Sequence, residues 1–259
     1  MSGNLVQQQF GRHAHAYATS HVHAKGASLK RVVELVQPQQ DWQVLDIATG
    51  AGHTAFAFAP LVASVTATDI TPEMLEVAAQ GAAERSLANF HTESANASSL
   101  PFADASFNLV TCRIAAHHFP DIARFLQETA RVLHPNGVFA LVDNTVPDGS
   151  AGDIINAFEK LRDPSHERCL SLTEWQHALA AAGFTVTVAE VAPKAMEFDG
   201  WADRMGASPE IVAELRTILS TATKDVATLF NVREIPNQAG SELWFDLQEA
   251  ILVGIKTVR

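Results

Sequence analysis

Between residues 44 and 54 the chain reads V-L-D-I-A-T-G-A-G-H-T: an apolar run enters a glycine pair, with an acid, Asp46, just ahead of the turn. An apolar, β-branched run halted by glycines and followed by a helical pattern fits a buried strand, a tight turn and a helix. That junction points to α/β folds in which ligands gather at the carboxyl ends of parallel strands. From residue 42 the alternation continues, and strands are expected at 42–47, 64–68, 89–94, 107–112, 138–143, 184–191 and 250–256. Helices fall between them, around a mostly parallel sheet.

The helices carry their own punctuation. Thr71-Pro72-Glu73 offers a cap, a proline at the first helical position and an early acid. Ser171-Leu172-Thr173-Glu174 reads as a capping box, with Gly183 closing the helix it starts. His134-Pro135-Asn136-Gly137 reads as a turn that ends a helix and feeds the fifth strand. Two regions break the alternation: residues 1–41, which read as helical, and residues 193–245, which insert helix-like segments before the last strand. Both are expected to cover the carboxyl end of the sheet as a substrate lid.

Composition limits the partners. The 259 residues suffice for one large domain, and no apolar run is long enough for a bilayer, so no membrane insertion is expected. The first ten residues lack the basic start and apolar stretch of a signal peptide, which makes the cytoplasm the expected location. A formal net charge of −11 opposes binding to phosphate backbones, so no nucleic-acid partner is expected. Two cysteines, Cys112 and Cys169, form no metal-binding or disulfide pattern. His13, His15, His21 and His23 crowd the N-terminus without the four-residue spacing or acidic partner of a helical zinc site, and no metal is expected. Oligomeric state leaves no mark in the sequence.

The glycine loop admits two ligands. Gly50-Ala51-Gly52-His53-Thr54-Ala55 matches G-x-G-x-x-A, which suits the diphosphate of a nicotinamide or flavin dinucleotide. A buried carboxylate at Asp46 would repel a diphosphate and attract an ammonium or sulfonium, the two cations of S-adenosylmethionine. Asp69, ending the second strand, would accept from ribose hydroxyls in either case. A nicotinamide-dependent oxidoreductase and a non-catalytic cofactor-binding module are therefore the alternatives to an enzyme that uses S-adenosylmethionine.

Four segments in order, D-I-A-T-G-A-G-H-T, T-D-I-T-P-E-M-L, S-S-L-P-F-A-D-A-S-F and R-I-A-A-H-H-F-P-D, resemble the successive motifs of class I S-adenosylmethionine-dependent methyltransferases. The likeness covers about residues 10–145 and is strongest to the branch of ubiquinone/menaquinone biosynthesis C-methyltransferases. It implies a Rossmann-like sheet of seven strands, the last antiparallel, with helices on both faces. A single domain over residues 1–259 is expected, with an N-terminal lid (1–41), a cofactor-binding half (42–145) and a substrate-side half (146–259) carrying the cap at 193–245.

By position, the resemblance implies that Ala48, Gly50 and Gly52 line the methionine and ribose, that Asp69 holds the ribose hydroxyls and that Ile70 packs on adenine. It implies that Asn96 and Ala97 read adenine and that Arg113 lies beside the cofactor. The family commonly has aspartate where Asn96 stands; an amide oxygen can still accept from the adenine amino group. The N-terminal segment with Tyr17 is expected to close over the methionine end, as similar extensions do.

Methyl transfer needs positioning first, and a general base only where the acceptor must lose a proton. His117 and His118, after the fourth strand, are the candidates, with His166 in Asp163-Pro164-Ser165-His166, a stretch that otherwise reads as a solvated turn. The expected acceptor is a small molecule methylated on carbon or oxygen, quinone-like or phenolic; the chain lacks the N/D-P-P-Y and Pro-Cys motifs of enzymes that methylate bases. Trp175, at helical spacing from Leu172 and Leu179, is expected in the core.

Overall fold

The computed structural model describes residues 5–8, 10–11, 26–221, 224–237 and 240–257. Helix α1 (Ala27–Val36) precedes β1 (Gln43–Ile47), α2 (His53–Phe58), β2 (Ser64–Asp69), α3 (Pro72–Glu84), β3 (Phe90–Ser94) and β4 (Phe107–Arg113). Then come α4 (Ile122–Val132), β5 (Leu133–Thr145), α5 (Ser150–Arg162), α6 (Leu172–Ala181) and β6 (Phe184–Glu197). Helices α7 (Phe198–Asp203), α8 (Pro209–Ser220) and α9 (Lys224–Leu229) lead to β7 (Arg233–Asn237) and β8 (Gly240–Lys256).

The sheet runs β3-β2-β1-β4-β5-β8-β6, with β7 paired to β8. Pairs along β3-β2-β1-β4-β5 are parallel, and β8 is antiparallel to both β5 and β6. This is the expected Rossmann-like arrangement with an antiparallel last strand. Strand order reverses between β1 and β4, so the loops after those strands diverge and leave a crevice at their carboxyl ends.

Burial explains the strands. Val44, Leu45, Val65, Leu109 and Val110 are wholly buried because the sheet is covered on both faces, the condition that makes parallel strands continuously apolar. One core on one face holds Leu45, Phe125, Leu126, Phe139 and Trp175, which is in the core as expected. A second, around Val32, Val44, Phe58 and Leu109, covers the other face.

Among the described residues the strands number eight, one more than expected, and the difference lies in the cap. Residues 193–197 continue β6, 233–237 form β7 and 240–249 begin β8, so only the middle of the 193–245 insertion is helical. Leu243, Phe245 and Leu247 alternate inward along β8, the period of a half-buried strand. They join Phe158, Trp201, Leu215, Leu219 and Phe230 in a third core, which stands above the carboxyl end of the sheet. Trp201 stacks on Phe158 at 5.1 Å and meets Phe245 edge-on at 4.9 Å.

The local signals fare differently. Ser171 and Glu174 form the expected capping box, and Gly183, at φ 87°, follows the helix end. Thr71 takes the cap position of α3 with Pro72 inside it, but its side chain does not make the capping bond. The expected turn at 134–137 is absorbed into β5 as a register shift opposite Phe107 and Leu109, with Asn136 at φ 61°. Among the described residues no helix is long and apolar enough to cross a membrane. None of their His, Cys, Asp and Glu side chains form a group that could hold a metal ion.

Candidate functional site

The β1 turn sits where the crevice opens. Ala48, Gly50 and Gly52 all have positive φ, at 53°, 54° and 87°. For alanine that region costs about 1 kcal/mol through contact of Cβ with the following carbonyl. Ala48→Gly should therefore raise stability by ~0.5–1 kcal/mol in chemical denaturation, whereas an unchanged midpoint would mean the strain is relieved elsewhere.

The loop uses up its own amides. Thr49 N–H donates to Thr68 O at 2.8 Å and Gly52 N–H to Thr49 O at 3.0 Å. Gly50 N–H donates to Asp69 Oδ2 at 2.9 Å, and the other oxygen of Asp69 accepts from Thr71 N–H at 2.9 Å. A diphosphate cradle needs such amides free and pointing outward. Here three of them are spent, and one is spent on a carboxylate.

A cavity of about 430 Å³ opens over this loop. Ala48, Gly50, Asp69, Ile70, Asn96, Ala97 and Arg113 all line it, with Thr49, Ala51 and Met74 among their neighbours. Val6 and Phe10 also line it, and Gln7 Nε2 donates to Ile70 O at 2.7 Å, fastening this end of the chain to the rim. Burial raises the Asp69 carboxyl above its ordinary pKa, and the Thr71 and Gly50 amides pull it back.

Two of the expected residues stand behind the loop. Asp46 is 1% exposed and lies outside the cavity wall, so the expected direct attraction of a cationic ligand gives way to a role inside the turn. Its oxygens accept from Thr111 Oγ1 and Thr49 Oγ1, both at 2.6 Å. Gly52 is also outside the wall, because its missing side chain faces Phe56 and Ala78. Tyr17 falls outside the described residues, as do His13, His15, His21 and His23.

Burial lifts the Asp46 carboxyl from 3.8 to about 6, against the pull of Thr111, Thr49 and the charge of Arg113. The folded chain thus holds this proton more tightly than the unfolded one. The stability linked to it is fully present below the unfolded pKa and is lost as pH rises through about 6, in total by about 3 kcal/mol. Asp46→Asn should flatten the fall in denaturation midpoint between about pH 4 and about pH 7. Parallel profiles for the two proteins would count against it.

Asn96 Oδ1 accepts from Ser98 N–H at 2.8 Å, which orients the amide and leaves one lone pair for a ligand. Arg113, at the end of β4, donates from Nε to Thr54 Oγ1 at 3.0 Å. Burial pulls its guanidinium down, offset by the charges of Glu249 and Asp46.

The three histidines come together but differ in environment. The rings of His117 and His118 are 4.2 Å apart, and His117 and His166 are 5.5 Å apart. His118 lines the cavity, with Nδ1 3.0 Å from Ser165 O, and burial followed by the charge of His117 lowers it to about 4. His166 is buried instead of solvated: Nε2 lies 2.9 Å from Asn156 Oδ1, and it does not line the cavity over the loop. The proline and serine before it suggested a surface turn, but α5 and the cap cover that stretch.

His117 pairs with Asp143, at 2.6 Å from Nδ1 to Oδ1. Burial lowers its proton affinity, but the charge and hydrogen bond of Asp143 outweigh it, so the net shift is upward. Asp143 was missed in the sequence. It ends a core strand in L-V-D-N-T, and only the pairing of β4 with β5 shows that it faces the loop carrying His117.

A family model described as a methyltransferase domain matches residues 45–141, from β1 into β5. The uncharacterized methyltransferase YcgJ of Bacillus subtilis is 36% identical over 95% of this chain and 97% of its own length. Its solved structure superposes with a TM-score of 0.84, covering 90% of this chain and 99% of that one. The uncharacterized protein YafE of Escherichia coli is 35% identical over 69% of this chain and 87% of its own. The ubiquinone/menaquinone biosynthesis C-methyltransferase UbiE of Zymomonas mobilis is 38% identical over 41% of this chain and 44% of its own.

Proposed function

The chain belongs to the S-adenosylmethionine-dependent methyltransferases, and on that premise we propose that it methylates carbon or oxygen of a small quinone-like or phenolic molecule. The observation that carries the cofactor half is the loop itself. Gly50 N–H is bonded to Asp69, so the turn presents a carboxylate where a diphosphate would require a donor. S-adenosylmethionine carries an ammonium and a sulfonium and no phosphate, and its ribose hydroxyls need an acceptor.

In this reading Asp69 accepts from both ribose hydroxyls, Ile70 packs on adenine, and Asn96 and Ala97 meet its edge. Ala48 and Gly50 lie along the methionine and ribose, Arg113 stands beside the cofactor at the end of β4, and Val6 and Phe10 close the cavity. Asp46 and Gly52 shape the turn from behind. The cofactor supplies an activated methyl group. This chain's residues hold the two partners in line and exclude water, an effect worth several kcal/mol.

A small acceptor suits a site roofed by the third core, where the carboxyl end of the sheet carries the main cavity and a smaller one beside it. The similarity to the UbiE-type enzyme over 41% of this chain supports a quinone-like or phenolic ring by analogy.

Titration calorimetry with S-adenosylhomocysteine and with NADH and NADPH tests the cofactor assignment. Binding of the homocysteine derivative alone is expected. Tight nicotinamide binding without it would restore the dinucleotide alternative, and cofactor binding with no methyl transfer to any phenolic or quinol acceptor would favour a non-catalytic module.

A further inference from the structure

A second cavity of about 70 Å³ adjoins the first, and Phe10, Ile114 and His118 line both. One water needs about 10–15 Å³ of such space, so this one holds roughly five non-hydrogen atoms. That is room for a head group and not for a whole acceptor. His117, Lys194 and Arg162 are also in its wall.

Resting on the methyltransferase reading above, we propose that this second cavity takes an ionisable hydroxyl of the acceptor, a phenol or enol, with His117 removing its proton, Asp143 positioning His117 and Lys194 facing the oxyanion. Asp143 is 1% exposed and grips His117 twice: Oδ1 with the ring Nδ1 at 2.6 Å, Oδ2 with the backbone N–H at 2.8 Å. Asn144 N–H donates to Oδ1 at 2.9 Å, which fixes the carboxylate in turn. A carboxylate on Nδ1 keeps the hydrogen there, so the neutral ring carries its lone pair on Nε2. Nε2 has no hydrogen-bond partner among the described residues, on a side chain that lines the cavity.

The surroundings single out His117 from its neighbours. Asp143 on β5, Glu159 on α5 and Asp163 beyond it all raise its proton affinity against burial. His118 and His166, packed against it, are both pushed down by burial and by the charge of His117. Of the three rings His117 is therefore the one whose proton affinity is raised, while the other two are held toward the neutral form.

In the step itself the O–H bond breaks, an Nε2–H bond forms, and the electron pair stays on oxygen. The imidazolium is balanced by Asp143. The oxyanion meets Lys194, whose ammonium is lowered by burial and raised by Glu249, and which donates to Asn144 Oδ1 at 3.4 Å. Arg162 is held by Glu159 and Trp201 O and forms the far wall.

The test uses 4-nitrophenol, whose phenolate is coloured, added to the full chain saturated with S-adenosylhomocysteine. The phenolate-to-phenol ratio of the bound probe should be at least tenfold that of the free probe at the same pH. His117→Gln and Lys194→Met should each abolish that enrichment, while affinity for S-adenosylhomocysteine stays within twofold and reports intact folding. Asp143→Asn should reduce the enrichment and lower the His117 pKa followed by NMR. A probe that does not bind, binds with its solution ionisation, or keeps its enrichment in His117→Gln would overturn the proposal. Failure of the wild type to bind S-adenosylhomocysteine would instead refute the methyltransferase reading beneath it.

Discussion

Gly52→Ala should destabilise the chain by about 3 kcal/mol, the largest effect expected of any single methyl group added to the cofactor loop. A Cβ there would lie 2.6 Å from Phe56 Cζ, 2.9 Å from Phe56 Cε1 and 3.2 Å from Ala78 Cβ, at a φ of 87°. Phe56 cannot simply swing away. Its ring also packs on Phe90, and Gly81 would meet it at 2.8 Å if it too carried a Cβ. Overpacking of this kind costs about 1–3 kcal/mol, and the left-handed backbone adds ~1–2 kcal/mol for any L residue.

Gly50→Ala separates folding from binding, because a Cβ at Gly50 meets nothing within 4 Å. Its folding penalty should be confined to the ~1 kcal/mol of the left-handed φ. Since Gly50 lines the cavity, the added methyl should instead weaken S-adenosylhomocysteine binding. Urea denaturation and calorimetry on both variants check the pair. Equal destabilisation of the two would show that the packing of Phe56 against α3 and Phe90 gives way more readily than its neighbours imply.

The contrast also marks what the sequence could and could not reveal. G-A-G identifies a turn, and the periodic apolar runs around it identify parallel strands, because burial on both faces leaves a one-dimensional trace. Nothing in G-A-G says which glycine faces the ligand and which faces a phenylalanine. That depends on where α3 packs, a tertiary fact. Asp46 is the same kind of case: an acid before a glycine turn is legible, but its orientation toward Thr49 and Thr111 depends on the β1–β4 register.

The cap was the least legible part. In S-E-L-W-F-D-L-Q-E the inward side chains recur every second residue, yet helix-forming residues on either side support a helical reading. The pairing of β6 and β8, from Phe184 and Lys256 to Glu197 and Trp244, decides it through contacts far apart in the chain. His166 was misplaced for a related reason. Proline and serine favour turns, but whether a turn is solvated depends on what covers it.

Asp69→Ala should weaken binding of S-adenosylhomocysteine by about 2–3 kcal/mol, or roughly 30–150-fold, with a smaller loss of fold stability. Two costs combine in this one side chain. The carboxylate is 8% exposed and lines the cavity, and hydrogen bonds from a ligand to an ionised group are worth about 1.5–3 kcal/mol. It also accepts from the amides of Gly50 and Thr71, joining the β1 turn to the start of α3. Alanine frees the Gly50 amide as it removes the charge, so a diphosphate should be less strongly excluded. Calorimetry should therefore show affinity for S-adenosylhomocysteine falling, with any affinity for NADH, expected to be absent in the wild type, rising and not falling. A variant that kept its affinity for the homocysteine derivative would show that the ribose lies elsewhere, and the assignment of every residue along this cavity would have to move with it.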